Sequence, residues 1–107
     1  MLFRSIMSGC EIFGTVENSV LSSDVIVKKG AVVKNSIIMA DVVVGENAVV
    51  NYAIIDENTK LGKGAKVGED LGKKKKITLL GRNINVYDGA NVPAGQIVDQ
   101  DVKKEEK

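Results

Sequence analysis

The sequence predicts an all-β fold, a single-stranded parallel β-helix wound as a triangular solenoid, and three observations predict it. One set of apolar columns recurs every 17 residues. The aliphatic residues are largely β-branched and come in runs of one to three between Gly, Asn, Asp and Ala, so neither a helix nor a long strand can form. Aromatic residues are 4% of the 107, with no Trp, which leaves Val, Ile, Leu and Ala to build the core.

Laying the chain against itself sets the elements in order. Residues 10–26 read CEIFGTVENSVLSSDVI, 27–43 read VKKGAVVKNSIIMADVV, and 44–60 read VGENAVVNYAIIDENTK. Their first column is Cys10, Val27 and Val44, continued by Leu61. The fifth is Gly14, Ala31, Ala48 and Ala65, and the seventh is Val16, Val33, Val50 and Val67. The eleventh and twelfth are the pairs Val20-Leu21, Ile37-Ile38 and Ile54-Ile55. Residues 61–79, LGKGAKVGEDLGKKKKITL, read as a looser coil two residues longer than its neighbours. The last coil, 80–97, divides into the hexads LGRNIN, VYDGAN and VPAGQI.

A hexad with one inward aliphatic and a small residue soon after suits a short strand followed by a sharp corner. Val and Ile fit the strand, and Gly, Asn and Asp tolerate the corner's backbone angles. Three such sides return the chain to its start, displaced by one strand spacing of ~4.8 Å. A sandwich would instead show period-2 alternation with hairpin turns. The β-helix is assigned to residues 1–98, and the polar DQDVKKEEK, 99–107, is expected to end it in water.

Composition narrows the function. A formal net charge of +1 gives no global field to attract nucleic acid or an anionic membrane. One Cys forms no internal disulfide, which points to a reducing compartment. The N-terminal MLFRSIMSGC reads as neither signal peptide nor membrane span. A soluble cytoplasmic protein is the expectation.

Most polar candidates have structural readings. Cys10 shares its column with Val27 and Val44 and is expected to be a small inward hydrophobe. Asn18-Ser19 and Asn35-Ser36 stack as Tyr52-Ala53 in the next coil, and corner geometry explains them better than a functional ladder. Asp24, Asp41 and Asn58 share a column in the same way, as corner caps rather than a metal row. Lys73–Lys76 is expected to bulge as a solvated loop, or else to act as an anion-attracting arm.

The hexads resemble the hexapeptide-repeat family, whose members form left-handed triangular β-helices; general crossover rules alone favour the right hand. The phrases SGCEIFGTVENSVL (8–21), VKNSIIM (33–39), NYAIIDENTKLGKGAKVG (51–68) and ITLLGRNINVYDGANVPAG (77–95) are similar to the C-terminal β-helix of bacterial glucose-1-phosphate adenylyltransferases, also called ADP-glucose pyrophosphorylases. That family makes ADP-glucose and pyrophosphate from ATP and glucose 1-phosphate in glycogen synthesis.

The resemblance implies a catalytic N-terminal domain outside this chain, which holds no Gly-rich nucleotide loop, and ATP and Mg as requirements of that parent enzyme alone. It implies no catalytic residue, cofactor or metal in this segment. Its expected partners are the catalytic domain, sibling subunits in a homo- or hetero-tetramer, and a phosphorylated metabolite effector. Arg82 is the effector-phosphate candidate, because an Arg in phrases similar to ITLLGRN helps bind phosphate in that family and its planar fork grips phosphate bidentately. Glu46 departs from the pattern, since some members carry basic residues in the turn corresponding to GEN, 45–47. Hexapeptide-repeat acyltransferases use a His base, and related zinc proteins use His ligands; this chain has no His. The alternatives are the β-helix of another sugar-nucleotide pyrophosphorylase, or a structural solenoid that self-assembles through its open strand edges.

Overall fold

The computed structural model describes residues 5–6 and 8–104, and in it the chain winds as a parallel solenoid with three sides. The first face stacks Ser5–Ile6, Val20–Leu21, Ile37–Ile38, Ala53–Ile55, Thr78–Leu80 and Ile97–Val98. The second stacks Glu11–Ile12, Ile26–Val27, Val43–Val44, Lys60–Leu61 and Asn85–Val86. The third stacks Thr15–Glu17, Val32–Lys34, Val49–Asn51, Lys66–Val67 and Asn91–Val92. Strands of two or three residues are stable here because each, except at the ends of the stack, bonds to the coil above and the coil below, as in other solenoids.

Each face sends one column inward. Leu21, Ile38, Ile55 and Leu80 line the first; Val27, Val44, Leu61 and Val86 the second; Val16, Val33, Val50, Val67 and Val92 the third, all at most 3% exposed. Corner residues Val25, Val42 and Ile84, and the small Ala31, Ala48, Ala65 and Ala90, fill the remaining space. The corners turn through left-handed backbone angles, as at Asn18, Asn35 and Tyr52 (φ 49–51°) and at Asp24, Asp41, Asn58 and Asn83 (φ 58–61°). Asn and Asp adopt this region more readily than other residues with a Cβ.

Two registers differ from the sequence expectation. Ile12, not Cys10, pairs with Val27, because only Phe13 and Gly14 separate the first strands where Lys28 to Ala31 separate the next pair. Cys10 drops onto the Val25 column, where it is half-buried against the core and its thiol donates to the Ser22 carbonyl at 3.0 Å. The coil after Leu61 is also longer than expected. Leu61 pairs with Val86, 25 residues on, whereas Val44 pairs with Leu61, 17 on. The excess of eight leaves the solenoid between Val67 and Thr78 as an exposed loop carrying Lys73–Lys76.

Winding also continues past Val98. Val102 bridges Val86 in parallel; its N–H donates to the Asn85 carbonyl and its own carbonyl accepts from Tyr87 N–H, both at 2.9 Å. The sequence also places Leu2, Phe3, Ile6 and Met7 as an apolar edge opening the solenoid, an expectation that rests on side chains outside the described residues.

Candidate functional site

The interior offers no room for chemistry. Its few polar side chains, Ser19, Ser36, Thr59 and Thr78, are spent on the corners. Ser19 Oγ donates to the Glu17 carbonyl (2.8 Å) and accepts from Ser36 N–H (3.0 Å); Ser36 repeats this one coil on, with Lys34 (2.7 Å) and Ala53 (3.2 Å). Thr59 ties the Gly81 carbonyl to Ile84 N–H, and Thr78 ties Pro93 to Gly95. Among the described residues no buried side-chain nitrogen or oxygen lacks a partner, and no three His, Cys, Asp or Glu gather as metal ligands do. The Asn column is a hydrogen-bonded ladder as well as a corner: Asn18 Nδ2 donates to Asn35 Oδ1 at 2.7 Å, and Asn35 Nδ2 to Asn51 Oδ1 at 3.2 Å.

The charged candidates of the surface separate onto three different corners. Arg82 projects where the first face turns into the second. Its side chain is 67% exposed, and its Nη2 lies 3.8 Å from Glu57 Oε1, a long ion pair that leaves the guanidinium fork mostly in water. Glu46 stands on the corner between the second and third faces, in a shallow exposed site with Phe13, Lys28 and Lys29. The Lys73–Lys76 loop occupies the remaining corner, between the third and first faces. The structure does not bring these groups together.

The loop is fastened to the solenoid. Lys75 Nζ bonds Asp70 Oδ1 at 2.8 Å and lies 4.8 Å from the Tyr52 ring centroid, while Gly72 N–H donates to the same carboxylate at 2.8 Å. The bond from Lys75, and after it that from Gly72, hold Asp70 below the usual carboxylate value; Asp70, and after it Tyr52, hold Lys75 above the usual ammonium value. Beneath the loop runs a cleft of about 660 Å³ over the third face, lined by Asn51, Lys66, Glu69, Asp70 and Asn91 among others.

Sequence reasoning missed an apolar column on the surface. Val20, Ile37, Ile54, Leu79 and Ile97 form one register column on the outside of the first face. Val20 is 36% exposed, Ile37 42% and Ile97 78%. The signal was present in the doubled aliphatics, since successive strand residues point to opposite faces and one of each pair must look outward.

Coils of hexads stacked around a filled interior define a hexapeptide-repeat β-helix domain. The chain belongs to the GlmU-like, C-terminal hexapeptide family, whose model matches residues 1–80. No curated protein sequence matches it significantly. No helix among the described residues is long and apolar enough to cross a membrane.

Proposed function

We propose that this chain is the C-terminal β-helix of a cytoplasmic glucose-1-phosphate adenylyltransferase, serving subunit contact and allosteric control while a separate domain performs the chemistry with ATP and Mg. The observation that carries the assembly role is a sealed interior beside an outward aliphatic column on the first face: the domain offers contact surface and no reaction chamber. The ordered phrases of the sequence supply the adenylyltransferase part, and the water-facing fork of Arg82 suits an effector phosphate held between domains.

The test is to assay the whole gene product for pyrophosphate release from ATP and glucose 1-phosphate with Mg, alongside other nucleotide and sugar 1-phosphate pairs. Selectivity for ATP and glucose 1-phosphate is expected. Preference for another pair would make this the β-helix of a different sugar-nucleotide pyrophosphorylase, and the absence of any such activity would favour a structural solenoid.

A further inference from the structure

We propose that the first face is a homotypic interface, in which two copies meet face to face with parallel solenoid axes. The dyad would run along the column Val20, Ile37, Ile54, Leu79, Ile97. This deepens the assembly role proposed above and names its surface; it does not require the enzyme to be an adenylyltransferase.

The occupant is argued from the two edges of the face. The edge where strands begin carries the lysine loop, in which Lys73, Lys74 and Lys76 make no ion pair among the described residues. Of its nearby acids, Glu17 and Asp70 are already bonded to Lys34 and Lys75, which leaves Glu69 alone against the three lysines. The edge where strands end carries Asp24, Asp41, Asp56 and Asp99, and its one arginine, Arg82, is paired to Glu57. A flat apolar column with a basic edge on one side and an acidic edge on the other complements itself. A dyad parallel to the solenoid axis sets the basic edge of each copy against the acidic edge of the other, whereas a dyad across the axis sets like edges together. Opposed charge on facing patches both selects the register and speeds encounter.

Size agrees with a reversible dimer. Six strands, with five spacings of ~4.8 Å between them, by roughly five residues of ~3.3 Å give about 400 Å² of face per copy. That falls at the weak end of specific interfaces. Association should therefore depend on concentration and weaken with salt.

Sedimentation of the 107-residue chain should move, as concentration rises, from one to two times 11.4 kDa. Ile37→Lys and Ile97→Lys, both at exposed sites, should abolish the shift while leaving the circular dichroism spectrum unchanged. Geometry is read by disulfide trapping in a Cys10→Ser background. Ile97→Cys lies at one end of the column, so it meets its own copy only if the axes are parallel, and a covalent dimer is expected on oxidation. Asn91→Cys, exposed on the third face, should stay monomeric. A chain that remains monomeric to millimolar concentration, a trimer, dimers unaffected by Ile37→Lys and Ile97→Lys, or equal trapping at Asn91→Cys would each overturn the proposal. So would trapping only between Val20→Cys and Ile97→Cys chains, which marks antiparallel axes.

Discussion

Lys75 reaches back over Tyr52 while holding Asp70, so the inserted loop is closed onto the corner it departs from. The closure has a pH window. Asp70 is depressed below its ordinary 3.8, so its contribution is whole above that value and is lost as pH falls through the lowered one. Lys75 is raised above its ordinary 10.5, so its contribution is whole below that value and is lost as pH rises through the raised one. Trypsin cleavage at Lys73–Lys76 near neutral pH should be slow in the native chain and severalfold faster in Tyr52→Ala, with little change in thermal midpoint. Amide exchange at Gly72 should quicken, relative to intrinsic rates, at both pH extremes. Flat exchange across the range would show that the loop is held by something else.

Val33 and Val50 are register partners with no exposed surface. Val33→Asp or Val50→Asp buries an unpaired charge and should cost several kcal/mol, enough to unfold much of the stack. Lys28→Asp, at an exposed corner, should fall within about 0.5 kcal/mol of the native chain. Denaturant unfolding of the three variants checks the contrast.

Gly14 is the test of the shortened first corner. Its column continues as Ala31, Ala48 and Ala65, so matching the repeats would suggest Ala. A Cβ built there lies 2.4 Å from the Ala31 carbonyl oxygen and 2.8 Å from that of Lys28, both backbone atoms. Gly14→Ala should therefore destabilise by about 1–3 kcal/mol, the usual range for overpacking. A stabilised Gly14→Ala chain would mean the corner has slack.

Asn35 combines a left-handed φ of 51° with two ladder bonds. Asn35→Gly loses the bonds and keeps the angle at ease, while Asn35→Ala loses both advantages. The Ala variant should be the less stable by about 1 kcal/mol. Equal midpoints for the two would place all the value of this residue in its amide.

On the proposed allosteric role, Arg82→Ala in the parent enzyme should leave basal activity unchanged and raise the effector concentration needed for activation. Loss of a charge-assisted contact is worth roughly 1.5–3 kcal/mol, about tenfold or more in effector affinity. An unshifted activation curve would reduce Arg82 to a partner of Glu57.

The inward columns could be read from sequence because each hexad repeats a local pattern: Val16, Val33 and Val50 lie in one stack as their spacing says. Corner lengths could not. Cys10 is small and apolar like Val27, so nothing in residue type betrays the two residues missing at Phe13–Gly14. The bulge at Lys73–Lys76 could be read but its length could not, since Ile77 to Leu80 resemble a strand wherever the coil is taken to begin. For the surface, one aliphatic of each pair had to look outward, but the separation of Arg82, Glu46 and the lysine loop onto three corners is not defined until every corner's length is known.

The loop between Val67 and Thr78 carries a wider consequence. Eight added residues leave the pairings on either side intact, Val67 with Val92 and Leu79 with Ile54. Each coil answers only to its neighbours, so a corner is a port through which length enters without disturbing the stack. A foreign peptide spliced between Gly72 and Lys73 would be displayed at a fixed height along a rigid column, and the solenoid would serve as a molecular ruler for whatever it carries.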